Sequence, residues 1–302
     1  MTAGKKVLLS SWLRAIRIRF LLASVIAVSN GLAIAYWKNA TTIDPLYAAL
    51  TYVGVVFLHA SVDLLNDYWD HKRGIDSATT RTKFSGGTGV LPENLLTPRA
   101  IYLAGIIFLI LGASIGAYFV AIRGITIALI LGFAVVAIYF YSTSIVNAGL
   151  GELFVAIKGA MIVLGTLYVQ YAVIEPAALY VGAIVGILSA TVLFVNSFPD
   201  YEADRSKGRR RTLVIVLGKK MASAVFPMFI IITYAMIAAG ILFGFTKIYS
   251  LISFASIPFG IKSVLRLRKE DPENLEKIVP VMATVVTYSR ITGFLLALSF
   301  IL

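Results

Sequence analysis

The sequence predicts an all-α, polytopic membrane protein. The chain has 302 residues, of which 59% are hydrophobic, above the share of roughly half that is usual in a soluble domain. Its apolar runs reach the roughly 20 residues that a helix needs to cross a bilayer. Runs of this length favour helices over the shorter strands of a membrane barrel. We therefore expect one integral-membrane domain over residues 1–302.

Nine segments have the length and hydrophobicity of membrane spans. We place them at residues 15–37, 44–66, 99–121, 124–143, 149–173, 176–199, 221–243, 246–264 and 278–302. The first span follows basic residues, as a signal peptide would, but its apolar part is too long and no small-residue cleavage site precedes a soluble domain. Most connections are short, as between antiparallel neighbours. Two are longer and polar, near residues 67–98 and 200–220, and we expect them to be functional loops.

The net charge of +12 follows the predicted topology rather than a nucleic-acid-binding surface. Most of the 27 Lys and Arg residues lie before span one or after spans two, six and eight, and only Lys38, Arg123 and Lys247 lie on the opposite side. The positive-inside rule then places the N-terminus and both long loops in the cytoplasm and the C-terminus outside the cell membrane. The chain has no cysteine, which excludes disulfides, thiolate metal sites and cysteine nucleophiles.

A first acidic cluster stands at the end of span two. Asp63, Asn66, Asp67 and Asp70 occupy positions i, i+3, i+4 and i+7, so that they share one face of a helix. Carboxylates near lipid are costly without a compensating partner. Oxygen ligands without cysteine suit Mg²⁺, which takes few carboxylates together with phosphates and water. The simpler alternative is a set of interfacial charges that closes the span.

A second cluster, of Asn196, Asp200 and Asp204, repeats this spacing at the end of span six. Pro199 should kink or restart the helix there. Alone, the cluster also fits an ordinary pair of loop acids neutralised by nearby arginines. Together with the first cluster it predicts a site for divalent ions. The candidate catalytic residues are Asp63, Asn66, Asp67, Asp70, Asp200 and Asp204.

Basic residues follow both clusters, and a basic rim beside divalent ions would hold a diphosphate. The candidate phosphate ligands are Lys72, Arg81, Lys83 and Arg209. Contacts with anionic membrane lipids are the alternative role for basic residues at this surface. Gly86, Gly87 and Gly89 in the first loop permit close backbone approach to a ligand.

Two further side chains are candidates for substrate binding within the spans. Lys158 lies nine residues into span five, where it either meets an anionic substrate in a cavity or extends its ammonium to the membrane surface. Tyr141 lies among aromatic residues at the end of span four. Such residues are mostly packing or interfacial aromatics, but in a cavity an aromatic face can stabilise a carbocation. Asn196 completes the predicted substrate-binding set.

The stretch from Asn66 to Asp70, followed by Lys72-Arg73-Gly74 and Asp76, resembles the first aspartate-rich motif of the UbiA superfamily of intramembrane prenyltransferases. The stretch from Asp200 to Arg205 resembles the second. The resemblance extends over essentially the whole chain and implies nine helices around a central cavity. The segments GGTGVLPENLL, GLGELFVAIKGAMIVLGTLYVQ and DYEADRSKGRRRTLVIVLG look most like the menaquinone branch, which prenylates 1,4-dihydroxy-2-naphthoate.

The resemblance implies a mechanism. Two Mg²⁺ ions would bridge the diphosphate of a polyprenyl donor, and their ligands would be Asn66, Asp67, Asp70, Asp200 and Asp204. Departure of the diphosphate would leave an allylic cation, which the aromatic acceptor attacks. Asp63 would orient the acceptor or take its proton.

Two sequence features bear on the identity of the acceptor, in opposite directions. Branches using 4-hydroxybenzoate or geranylgeranylglyceryl phosphate carry an Asn-Arg-Pro-rich segment where this chain has residues 80–84, but Lys158 stands where we expect an apolar residue in the menaquinone branch. A transporter and a non-catalytic lipid-binding protein are the alternatives from other classes.

Overall fold

The computed structural model describes residues 3–39, 42–76, 79–207, 210–269 and 274–302. The described part of the chain is helical and contains no strand. Its helices are α1 Ala3–Ala15, α2 Ile18–Asn39, α3 Pro45–Lys72, α4 Pro98–Arg123, α5 Ile125–Phe140, α6 Gly151–Tyr171, α7 Pro176–Asn196, α8 Tyr201–Lys207, α9 Leu213–Leu242, α10 Ile257–Lys269 and α11 Leu275–Ile301. A π-helical turn, Tyr141–Ile145, continues α5, and a 3₁₀ segment, Ile248–Ser256, leads into α10.

Nine helical segments of the described residues are long and apolar enough to cross a membrane, which confirms the predicted number. Two boundaries differ clearly from the prediction. The second segment extends to Lys72, so the whole first cluster lies on one continuous helix. The seventh begins at Leu213 and not at residue 221, because a short helical segment precedes a kink at Gly218, where the backbone is not helical.

Local sequence signals explain where the helices begin. Asp44 caps α3 by accepting hydrogen bonds from the backbone N–H groups of Leu46 and Tyr47, and Pro45 supplies a favourable first residue. Thr97 and Thr212 cap α4 and α9 in the same way. After α7 ends at Asn196, a turn containing Pro199 separates it from the short α8, as predicted.

Small residues allow α6 and α7 to pack closely against each other. A Cβ atom added to Gly159 would lie 2.6 Å from the Cα atom of Gly186, so no larger residue fits without a backbone shift. Close packing of this kind is the main source of helix association in lipid, where water supplies no hydrophobic drive.

Helix direction explains why the two clusters meet. Successive spans run in alternate directions, and α3 and α7 are the second and sixth of them. They therefore run the same way, and the ends that carry Asp70 and Asn196 lie on the same side of the bundle, called here the motif side.

Candidate active site

A cavity of about 390 Å³ opens from the motif side into the bundle. Its walls come from α2 to α8, from α11 and from the connecting segments, whereas the described residues of α9 and α10 contribute none. Carboxylate, amide and guanidinium groups line the motif end. The wall farther along is mostly apolar, and Leu50, Phe119 and Ile127 place its far end near the opposite ends of α3, α4 and α5.

The first cluster forms a bonded network at the end of α3. Asn66 donates from Nδ2 to Asp70 Oδ2 at 2.9 Å, and its own Oδ1 accepts from the Ser142 hydroxyl at 2.9 Å. Arg210 donates to both carboxylate oxygens of Asp70 at 2.5 Å. The π-helical turn that contains Ser142 thereby fixes the Asn66 amide.

Asp67 points to a different set of partners. It is buried, accepts from Arg17 at 2.6 Å and also accepts from the Thr88 hydroxyl. Arg17 has a φ of +48° between α1 and α2, a left-handed conformation that is uncommon outside glycine. The turn at Arg17 thus brings the N-terminal segment against the first motif.

The second cluster carries oxygen atoms without partners. Asn196 ends α7, while Asp200 and Asp204 lie in the following turn and in α8. One side-chain oxygen of each is buried and accepts no hydrogen bond: Oδ1 of Asn196, Oδ1 of Asp200 and Oδ1 of Asp204. Buried oxygens normally have partners, and those that lack them call for a ligand or ion.

The Gly-rich loop after α3 packs against both clusters. The backbone N–H of Gly86 donates to Asp200 Oδ2 at 3.3 Å. Gly87 has a φ of +70°, and a Cβ atom there would lie 2.6 Å from Asp76 Oδ1. Glycine is required at this position both by the backbone conformation and by the approach of the carboxylate. The loop therefore forms part of the cavity wall at the motif end; the close approach of its glycines to a ligand stays a prediction.

Burial and crowding perturb the charged groups of this end. Burial, with a contribution from Asp204, raises the pKa of Asp200 to about 7, and burial raises the pKa of Asp204 to about 6 against the opposing effect of Arg210. Burial and the neighbouring Asp70 raise the pKa of Asp76 to about 8. Burial alone would lower the pKa of Arg210, but Asp70 and Asp204 raise it. Carboxylates in this environment are poised to take a cation.

The structure brings together most of the residues predicted from the sequence. The predicted residues that line the cavity are Asp63, Asn66, Asp70, Tyr141, Lys158, Asn196, Asp200 and Asp204. Asp67 stands behind this wall, held by Arg17 and Thr88.

Three of the four predicted phosphate ligands do not line the cavity. The Lys72 ammonium lies over the Trp69 ring at 5.0 Å, and Lys83 lies over Phe84 at 5.9 Å. Arg81 pairs with Glu93 and does not line the cavity. Arg209 lies outside the described residues. Sequence proximity to the acids did not determine where these long side chains point.

Charged residues at the motif end of the cavity that were missing from the predicted site include Arg17, Asp76 and Arg210. Arg17 looked like a topology signal at the start of the first span, and Asp76 appeared only as part of the motif. Arg210 is one of three consecutive arginines, which gave no reason to select it. Its contacts with Asp70 and, at 4.0 Å, with Asp204 join the two clusters.

The donor set fits a hard divalent cation that is completed by a ligand. Among the residues described, no three His, Cys, Asp or Glu side chains form a complete metal cage. Mg²⁺ does not require one, because it is commonly held by one or two carboxylates together with substrate phosphates. The buried, unpartnered oxygens of Asn196, Asp200 and Asp204 are ligands of the kind it prefers.

Comparison with known proteins identifies the class. The UbiA prenyltransferase family model matches residues 24–288, and the chain belongs to this family. The protein is therefore an enzyme that transfers prenyl groups, as the two motifs predicted. The alternatives of a transporter and of a non-catalytic lipid-binding protein are excluded.

Two curated relatives carry the same name, 1,4-dihydroxy-2-naphthoate octaprenyltransferase. The Escherichia coli protein is 25% identical over 97% of this chain and 95% of its own length. The Bacillus subtilis protein is 26% identical over 93% and 89%. A solved UbiA homologue from Archaeoglobus fulgidus, bound to GPP and Mg²⁺, shares the fold with a TM-score of 0.68 at 18% identity over 94% of this chain and 98% of its own.

Proposed function

We propose that this enzyme transfers a polyprenyl group from a prenyl diphosphate to 1,4-dihydroxy-2-naphthoate, in the biosynthesis of a menaquinone-type quinone. The observation that carries the proposal is the union of two acidic clusters at the mouth of one long apolar cavity. The charged end suits a diphosphate and the apolar wall suits an isoprenoid tail. The names of the relatives support the naphthoate acceptor.

The proposed metal ligands are Asn66, Asp67, Asp70, Asp200 and Asp204, with two Mg²⁺ ions as the expected number. Bound Mg²⁺ neutralises charge on the diphosphate and makes it a better leaving group. The solved relative that holds both GPP and Mg²⁺ supports this pairing. Asp67 is the least accessible member of the set, since Arg17 and Thr88 already contact both of its oxygens.

Arg17 and Arg210 are the proposed cationic wall of the diphosphate site, in addition to the residues predicted from sequence. Both guanidinium groups face the cavity, and each retains a buried Nε–H without a hydrogen-bond partner. Fixed donors aimed at developing negative charge are among the strongest catalytic devices, because they need no reorganisation during the reaction.

The proposed reaction proceeds through an allylic carbocation. The bond between C1 and the diphosphate oxygen breaks, and its electron pair leaves with the diphosphate. The electron-rich ring of the acceptor forms the new C–C bond to C1. Loss of CO₂ from the same ring position returns the electron pair of the broken bond to the ring and restores aromaticity. Tyr141, which lines the cavity, presents an aromatic side chain that can shield the cation.

A reconstitution experiment tests this function. The full chain in lipid nanodiscs receives a prenyl diphosphate and a panel of acceptors, namely 1,4-dihydroxy-2-naphthoate, 4-hydroxybenzoate and geranylgeranylglyceryl phosphate. We expect Mg²⁺-dependent diphosphate release and, by mass spectrometry, a prenylated naphthoate product that has lost CO₂. Activity that persists in EDTA would overturn the metal mechanism, and a product with another acceptor alone would overturn the naphthoate assignment.

We also propose that the motif side faces the cytoplasm of a cell that carries the enzyme in its cell membrane, with the C-terminus outside. The distribution of Lys and Arg supports this orientation. The chain has no cysteine, so single cysteines introduced at Glu202 and Phe243 can be labelled separately. An impermeant thiol reagent added to intact cells should label the cysteine at 243 and not that at 202; the reverse pattern would overturn the orientation.

A further inference from the structure

A separate group of polar residues, called here the deep cluster, lies farther into the cavity than the two motifs. It consists of Ser24 on α2, His59 and Asp63 on α3, and Lys158 on α6, all lining the cavity. Asp63 precedes Asp70 by seven helical residues, which places it roughly 10 Å farther into the bundle. A diphosphate held at the rim by both motifs lies about two helical turns from this cluster.

Lys158 is the unusual member, because it is a cation in a membrane span without a close partner. Within the described structure, no carboxylate lies within 4.0 Å of its ammonium and no hydrogen bond satisfies it. Two other basic side chains in the spans have partners: Lys38 pairs with Glu175 at 3.2 Å, and Arg123 donates to the carbonyl of Val169 at 2.7 Å. A buried ammonium is costly unless an anion meets it.

Asp63 offers the complementary half of the cluster. Its Oδ2 atom is buried and accepts no hydrogen bond. His59 approaches that oxygen with Nε2 at 3.8 Å, too far for a hydrogen bond, while its Nδ1 contacts the Ser24 hydroxyl at 2.7 Å. Asp63 and Lys158 both line the cavity, and they do not form an ion pair with each other. The space between them presents a hydrogen-bond acceptor on one wall and a cation on the other.

The geometry points to Lys158 as the residue that selects an acceptor bearing an acidic group, with Asp63 accepting a hydrogen bond from that acceptor's hydroxyl group. A hydroxy-aromatic carboxylate carries both features on one rigid ring. Its carboxylate meets Lys158, its hydroxyl meets Asp63, and its ring lies inward of the diphosphate end. This inference rests on the proposed function for its role in catalysis, but the binding preference itself does not require turnover.

Equilibrium binding to the full chain in nanodiscs tests the inference. The probes are 1-hydroxy-2-naphthoate, which resists oxidation to a quinone, and 1-naphthol, which has the same ring and hydroxyl but no carboxylate. The wild type should bind the acid more tightly. Lys158→Met should weaken binding of the acid about 10- to 100-fold, the range expected for a hydrogen bond to a charged group, and change naphthol binding less than threefold.

Three further variants separate recognition from structure. Lys158→Arg should restore part of the preference for the acid, and Lys158→Gln provides a second neutral variant should the methionine variant fold poorly. Lys262→Met removes an exposed lysine of α10 outside the cavity and should alter neither probe. Asp63→Asn should weaken naphthol binding more than acid binding, because both probes lose the charged acceptor for their hydroxyl but only the acid also loses the repulsion between its carboxylate and Asp63.

The binding results distinguish failure of this inference from failure of the proposed function. Equal weakening of both probes by Lys158→Met, or a wild type without preference for the acid, overturns the inference and leaves Lys158 as a snorkelling residue. A wild type that prefers the acid but transfers no prenyl group retains the acid-binding site and overturns the proposed function instead.

Discussion

The two acidic clusters have similar sequences but differ in how the fold treats them. In the motif part of the first cluster, Asp67 and Asp70 each bind an arginine, and Asn66 is held by Ser142; Asp63, which lies deeper in the cavity, retains a buried oxygen without a partner. In the second, Asn196, Asp200 and Asp204 each retain a buried oxygen without a partner. The first cluster lies on one continuous transmembrane helix, whereas the second lies at a helix end, in a turn and on the short α8.

This difference indicates that the two clusters have different roles in ligand binding. A cluster whose charges are already paired is fixed in place before any ligand binds, and preorganised groups cost little to use. In a cluster with unpartnered oxygens, the position and charge of the side chains depend more strongly on the ligand or ion that they bind. Arg210 spans both, since it bonds to Asp70 and lies 4.0 Å from Asp204. We therefore expect substitutions in the two clusters to have different consequences.

The largest effect is expected in the second cluster. Asp204→Asn and Asp200→Asn should each lower kcat by about 100- to 1,000-fold, comparable with the loss of one strong electrostatic contact in a transition state, and should raise the Mg²⁺ concentration for half-maximal activity. Glu202→Gln is the matched control, because Glu202 is exposed on the same short helix. Mg²⁺ titrations of diphosphate release measure both quantities. Unchanged Mg²⁺ dependence in the aspartate variants would contradict the contrast between clusters.

Asp67→Asn should affect stability more than metal dependence. Breaking a buried ion pair leaves Arg17 without its carboxylate and typically costs about 3 kcal/mol, which thermal unfolding in detergent can detect. Its Mg²⁺ dependence should shift less than that of Asp204→Asn, because Arg17 and Thr88 already occupy the Asp67 oxygens. An equally large shift in Mg²⁺ dependence would place Asp67 among the directly exposed ligands and remove the distinction.

The smallest effect is expected from a substitution of Asp76, which lies in the loop after α3 that packs against both clusters. Its pKa of about 8 in the folded protein lies above the usual value of an aspartate. Between those two values the folded protein binds more protons than the unfolded chain, so stability falls as pH rises. Without divalent ions, Asp76→Asn should therefore raise the melting temperature by a few degrees at pH 8 and change it little at pH 4. If the difference in melting temperature between the two proteins were the same at pH 4 and at pH 8, this prediction would be refuted.

Elements with long, uniform patterns were predictable. The nine spans follow from apolar runs, and the shared face of Asp63, Asn66, Asp67 and Asp70 follows from helical periodicity alone. The meeting of α3 and α7 on one side follows from the alternation of span direction. Span seven was misplaced at its start because Lys219 and Lys220 interrupt the apolar run, whereas the segment already begins at Leu213 with a short helical piece before the kink at Gly218.

The pairing of charges could not be predicted in this way. Arg17 reaches Asp67 across 50 positions of the chain, and Arg210 reaches Asp70 across 140. Lys72, Arg81 and Lys83 instead contact aromatic or acidic neighbours close in sequence. Flexible basic side chains have many rotamers of similar energy, and their choice depends on which surfaces surround them.

The sequence by itself determined that the chain is a nine-span membrane protein with two oxygen-rich clusters on one side, because hydrophobicity and helical periodicity are local properties. Only the tertiary structure decided which acids are already paired, which oxygens remain open to a ligand and which lysine faces the cavity. Those are properties of contacts between distant segments, and helix packing alone determines them.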